Sequence, residues 1–144
     1  MKKKLFILMM FALTATVFTA CKKDKNDDAL SIEGTWKSTK DIAYYTVNGV
    51  QEGDSQIEEY DANNYEIFTF NGGNYTFIRY VDGQQENEAI KGRYTYSNNQ
   101  LIADGKDVVK VKLDGKTLII IDEDVYEDDG IKTVYITETH YVRQ

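Results

Sequence analysis

Five dipeptides punctuate the chain at hairpin spacing: Asn48-Gly49, Asp82-Gly83, Asp104-Gly105, Asp114-Gly115 and Asp129-Gly130. Asn-Gly and Asp-Gly tolerate the positive φ that tight β-turns require, so each predicts the tip of a hairpin. Asn71-Gly72-Gly73-Asn74 and Ser97-Asn98-Asn99 add further turn signals. The chain has no proline and 11 tyrosines, and its many Thr, Val and Ile residues favour strands between these turns.

The turns delimit nine expected strands: Thr35–Val47, Val50–Glu58, Tyr65–Phe70, Tyr75–Val81, Ala89–Tyr96, Gln100–Ala103, Val108–Leu113, Thr117–Tyr126 and Lys132–Arg143. Val109-Lys110-Val111-Lys112-Leu113 alternates cleanly and predicts a half-buried strand. Leu118-Ile119-Ile120-Ile121 is apolar at every position and predicts a strand covered on both faces, at least locally. Val134 and Ile136 suggest that even positions of the last strand face inward. One helical turn is expected around Ser55–Tyr60. Short loops between neighbours predict an all-β antiparallel meander. About eight or nine such strands close well into a barrel, which removes exposed edges; a β-sandwich is the competing architecture.

The domain follows an N-terminal segment of different character. Met1-Lys2-Lys3-Lys4 precedes an apolar run from Leu5 to Ala20, the layout of a secretory signal peptide. That run is shorter than the ~20 residues of a spanning helix. Phe18-Thr19-Ala20-Cys21 resembles a lipobox, the peptidase site before a cysteine that becomes lipidated. The resemblance implies cleavage after residue 20 and a membrane anchor on Cys21, the only cysteine. Residues 22–28 are polar and charged and read as a tether. The expected organisation is a signal peptide over 1–20, lipidated cysteine and tether over 21–31, and a barrel over 32–144. The expected location is the bacterial outer membrane. The charged tether also resembles, weakly, a surface-export signal of Bacteroidetes-type lipoproteins.

Removing residues 1–20 takes away three of 17 basic residues and none of the 24 acidic ones, leaving a formal net charge of −10. So acidic a domain is repelled by phosphate backbones, which argues against nucleic acid as a partner. With no cysteine after Cys21, the domain has no disulfide, thiol nucleophile or zinc–thiolate site.

Ile32-Glu33-Gly34-Thr35-Trp36-Lys37 opens the domain, and its Gly-Thr-Trp looks like the opening motif of lipocalins. Phe68-Thr69-Phe70, Gly92-Arg93-Tyr94-Thr95-Tyr96, Asp114-Gly115-Lys116-Thr117-Leu118 and the terminal Tyr141-Val142-Arg143 follow in that family's order. Over Ile32–Gln144 the chain thus resembles the lipocalin-like lipoproteins of Bacteroidetes-type bacteria. The resemblance implies a barrel closed at one end by Trp36, with Arg143 packed over its ring. The stretch Val50–Asn64 is longer and more acidic than a plain first connection in that family.

Little here points to catalysis. His140 is the only histidine, with Glu138 expected on the same face, and a structural role on the rim outweighs a catalytic one. The acids of Asp122–Gly130 lack the spacing of a calcium loop and read as a solvated hairpin tip, so no metal and no cofactor is expected. Phe70, Tyr75, Phe77 and Tyr94 are the candidate cavity residues, and the alternative is that they simply fill a small barrel. Two non-enzymatic readings follow. One is an envelope-anchored lipocalin-like protein holding a small apolar or amphipathic ligand, with Val50–Asn64 as rim or lid. The other is an interaction module with a packed barrel, meeting a protein partner through its acidic surface or loops.

Overall fold

The computed structural model describes residues 30–144. Ten strands occupy this span: β1 Gly34–Val47, β2 Val50–Glu59, β3 Tyr65–Asn71, β4 Asn74–Val81, β5 Gln84–Gln85, β6 Ile90–Ser97, β7 Gln100–Ala103, β8 Asp107–Leu113, β9 Thr117–Asp128 and β10 Ile131–Arg143. The described residues contain no helix. Eight strands form a closed antiparallel barrel in the order β1-β3-β4-β6-β7-β8-β9-β10, with β10 pairing back onto β1. β2 and β5 lie outside this ring, on β1 and β4.

The turns follow the Asx-Gly chemistry. Asn48-Gly49, Asp82-Gly83, Asp104-Gly105 and Asp129-Gly130 all have positive φ at both positions, as does Asn98-Asn99. Asp114-Gly115 solves the problem differently. The Asp114 carboxylate accepts hydrogen bonds from the amides of Lys116 (3.0 Å) and Thr117 (2.7 Å), an Asx turn.

Two expectations are corrected. Ser55–Glu59 is strand rather than helical turn, because β2 pairs along the upper half of β1, from Val47↔Val50 to Lys40↔Glu59. In β10 the odd positions face inward: Tyr141 is buried opposite Leu118, and Thr139 sits opposite Ile120. Val134 and Ile136 belong to the opposite face. The β9–β10 ladder has no bulge; the irregularity lies in β1, between Ser38 and Lys40.

That bulge is where β1 changes neighbours. Below it, Gly34–Lys37 pair with β3; above it, Lys40–Val47 pair with β2 along the same edge. Thr39, left over at the bulge, accepts a hydrogen bond from the Tyr60 amide (2.9 Å), and the buried Ser38 hydroxyl accepts one from the Glu66 amide (2.7 Å). Asp61 caps the amides of Asn63 and Asn64, both at 2.7 Å, and turns the chain back into the ring. The consequence is a four-stranded extension, β2-β1-β10-β9, which carries the long hairpins beyond the barrel wall.

The core lies toward the barrel's lower end, where the chain enters: Ile32, Trp36, Phe70, Tyr94, Leu101, Val111, Leu118 and Tyr141. In β8, Val109, Val111 and Leu113 pack inward while Lys110 and Lys112 face out. Leu118 and Ile121 are both buried although they face opposite ways, Leu118 in the core and Ile121 among the outward side chains of β8 and β10 beside it.

Candidate functional site

The lower end is shut. Trp36 is fully buried and donates its indole N–H to the Ile32 carbonyl at 2.8 Å. Arg143 lies over the indole with its guanidinium carbon 4.1 Å from the ring centroid. Its three nitrogens donate to the carbonyls of Gly115 (2.9 Å), Glu33 (2.5 Å) and Ser31 (2.8 Å). The guanidinium therefore ties the segment leading into β1, the β8–β9 turn and the last strand together over the tryptophan. Gly34 makes room for it, since a Cβ there would stand 2.6 Å from Nη1. Tyr94 adds a further strut, donating its hydroxyl to the Glu33 carboxylate at 2.6 Å. Burial first, and that hydrogen bond second, push the Tyr94 phenol well above its ordinary range. An open groove of about 840 Å³ runs outside this end, between Leu30–Glu33 and the β6–β7 turn.

Above the plug, aromatic rings fill most of the lumen. Phe68 is their hub, with ring centroids 5.3 Å from Phe70, 4.8 Å from Phe77 and 5.7 Å from Tyr141. What remains is a void of about 180 Å³ among Phe68, Phe70, Tyr75, Leu101, Val109 and Tyr141. Of the four residues singled out as cavity candidates, Phe70 and Tyr75 line this void. Phe77 instead packs on Phe68 near the mouth, and Tyr94 braces the closed end.

The mouth is polar. Tyr141 donates to Glu66 at 3.0 Å, and Tyr60 donates to Asp41 at 2.9 Å. Arg79, half exposed, reaches Glu66 at 3.6 Å. Burial raises the Glu66 carboxyl above its usual range, while Tyr141 and Arg79 partly offset the shift. Burial likewise raises the phenols of Tyr60 and Tyr141, reinforced by the adjacent carboxylates. The Tyr60 and Tyr141 phenols therefore serve as hydrogen-bond donors to these carboxylates. The second Asp41 oxygen is buried and has no hydrogen-bond partner among the described residues. Sequence reading passed over this cluster, although Glu66, Phe68 and Phe70 fall on one face of β3 and carried the signal.

The extension presents two different faces. Directly paired residues share a face. On the side continuous with the lumen, Tyr45, Tyr135 and Asp124 stand in one row, and Val47, Thr133 and Tyr126 in the next. Tyr135 packs against both Tyr45 and Tyr126, with centroids 5.7 Å and 5.6 Å apart, yet Tyr45, Tyr126 and Tyr135 remain 40%, 59% and 53% exposed. Glu52, Glu58, Asp122 and Asp124 flank them, and the registers place no lysine or arginine on this face. The outer face is charge-balanced: Lys110 meets Glu123 at 2.6 Å and Lys112 meets Glu138 at 3.4 Å. His140 stands 3.6 Å from Glu138. Burial, and then the charge of Lys40, lower its pKa against the opposing pull of Glu138.

Among the described residues, no group of three or more His, Cys, Asp or Glu side chains gathers as a metal would require. The acids of Asp122–Gly130 instead alternate between the two faces of the extension. Cys21, the expected lipid attachment site, lies outside the described residues. In comparisons with protein-family models, curated proteins and solved structures, the chain matches none.

Proposed function

We propose that this chain is a lipocalin-like lipoprotein of the bacterial outer envelope, lipidated at Cys21, whose barrel is a filled scaffold and whose extension is a non-catalytic contact surface for another protein. The observation that carries this reading is the contrast between the two regions. Ligand pockets usually run to ~300–1,000 Å³, whereas the lumen void is about 180 Å³. The extension, in turn, leaves three tyrosines, packed through the central Tyr135, open to solvent. Tyrosine supplies large contact area at low entropic cost and is enriched where proteins meet.

Site-specific photo-crosslinking in the native host tests it. A photoreactive residue at Tyr126 or Tyr135 gives discrete protein adducts, and one at Lys91 on the barrel wall does not. Absence of adducts from both tyrosine positions sinks the reading. Loss of membrane association in Cys21→Ser checks the anchor separately.

The small-ligand reading has one supporting feature, the apolar lining of the void. An engineered cavity of about 150 Å³ takes benzene, so this lumen suits a ligand of that size and no larger. Native mass spectrometry of protein purified from its host separates the two readings, since a retained small molecule favours the ligand.

A further inference from the structure

The extension has free edges, and one of them adjoins the tyrosines. β9 pairs with β10 along Thr117–Asp128, but with β8 only along Leu118–Ile121. From Asp122 to Asp128, no described strand covers its second edge. Alternate N–H and C=O groups of that stretch point outward without a strand partner, a template for an added strand.

Natural edges are blunted by proline, bulges, lysines or short length. This stretch is seven residues long and has no proline, lysine or bulge. Its one protection is charge, for Asp122, Glu123, Asp124, Glu127 and Asp128 are all acidic. Only Glu123 has a cationic partner among the described residues, namely Lys110. Charge of a single sign selects what can pair here. A second copy of the same edge is repelled, and so is the β2 edge, with its Glu52, Asp54, Glu58 and Glu59. A lysine- or arginine-rich strand is attracted at five of the seven positions. Its side chains on the lumen side would land beside Tyr126 and Asp124, where a cation gains both a carboxylate and an aromatic face.

We propose that the free edge of β9, Asp122–Asp128, binds an extended, basic segment of another protein as an added antiparallel or parallel strand. This rests on the interaction reading above and specifies its partner. At ~3.3 Å per residue the edge spans about 23 Å, room for a segment of roughly seven residues.

The test uses residues 21–144 carrying Cys21→Ser and a fluorescent peptide of alternating lysine and threonine, about eight residues long to match the edge. A control peptide has the same charge but is interrupted centrally by Pro-Pro, which removes N–H donors on both of its edges. A glutamate–threonine peptide completes the set. The basic alternating peptide binds at least about tenfold more tightly than the Pro-Pro peptide, and the acidic one does not bind. Hydrogen exchange slows at the Asp122–Asp128 amides when the peptide is bound. Asp124→Lys with Glu127→Lys abolishes the preference, whereas Glu52→Lys with Glu58→Lys on β2 leaves it in place. Unfolding midpoints confirm that both double variants are folded. Equal affinity for the two basic peptides, protection at β2 instead of β9, or no binding overturns the proposal. If Tyr126 crosslinks a partner in cells but the lysine–threonine peptide fails, the interaction reading survives and the basic-strand partner falls.

Discussion

Arg143→Ala is the most informative single perturbation, because one side chain ties three segments over the closed end. The guanidinium sits 4.1 Å from the Trp36 ring centroid. A cation–π contact of this kind contributes ~0.5–2 kcal/mol, the upper half applying where the ring is desolvated. The three hydrogen bonds to the carbonyls of Ser31, Glu33 and Gly115 add about 0.5–1.5 kcal/mol each, toward the low end where water can replace the donor. Against them stands the cost of ordering an arginine side chain, up to ~2 kcal/mol. The expected net loss is about 2–4 kcal/mol. Arg143→Lys keeps a charge near the ring but loses the planar fork, and should cost about half as much. Trp36 is the only tryptophan, so its fluorescence during urea unfolding reports on this end of the barrel. An Arg143→Ala midpoint equivalent to less than about 0.5 kcal/mol of destabilisation would refute the account. A double-mutant cycle sharpens it. In Gly34→Ala the new Cβ would stand 2.6 Å from the Arg143 guanidinium and the backbone keeps φ +127°. Removing Arg143 relieves the clash but not the φ strain, so the two losses are less than additive, with a coupling of at least about 0.5 kcal/mol.

Other perturbations follow from the lumen and its walls. Phe68→Ala removes the hub of the aromatic cluster and should cost ~3–5 kcal/mol; a thermal shift on adding benzene would then show the enlarged lumen filling. Gly92→Ala would place a Cβ 2.5 Å from the Asp104 carboxylate and 2.6 Å from the Tyr75 ring. It should destabilise by ~1–3 kcal/mol in urea unfolding, since Asp104 is held by the Arg93 amide and the Tyr75 hydroxyl. Glu66→Gln tests the mouth through pH. Burial holds the Glu66 carboxyl above its unfolded value, so Glu66 costs stability at neutral pH, and that cost vanishes as pH falls below the unfolded value of ~4.3. The glutamine variant keeps an acceptor for Tyr141 and should match or exceed the parent at pH ~7, the gap closing on acidification. A gap that widens as pH falls contradicts the assignment.

Much of the architecture was legible because local chemistry and global fold agree. The Asx-Gly pairs mark tight turns, the alternating lysines of β8 give its outer face, and the unbroken apolar run of β9 marks a strand that enters the core. The exceptions share one cause. Val50–Glu58 is legible as a strand, but β2 is exposed at every position, so no burial pattern argues against a helical turn over its second half, and its pairing with β1 is what keeps Ser55–Glu59 extended. Val134 and Ile136 misdirected the parity of β10 because they lie in the extension, where no core exists to sort the faces. The lower half of that strand, around Tyr141, sets which side is inward. Glu66 was passed over since a carboxylate in line with Phe68 and Phe70 looks like a strand end. It stays in the lumen only because Tyr141 and Arg79 satisfy it.

The polarity of β1 links the proposed anchor to the proposed contact surface. β1 begins at the closed end beside Trp36 and finishes at the tip of the extension, 14 residues later, a rise of about 46 Å at ~3.3 Å per residue. Eight residues lie between Cys21 and Leu30, so nine Cα steps give a reach of at most about 32 Å when extended. A lipid on Cys21, if carried as proposed, would hold the closed end toward the bilayer and leave the extension at the far end of the domain. Acidity favours the same arrangement, since an anionic membrane surface repels Glu52, Asp122, Asp124 and Asp128 more than it repels the plugged end. The tyrosine face is also the one continuous with the lumen, so it overhangs the Asp41–Glu66 mouth. A strand seated along β9 would project side chains from that same face.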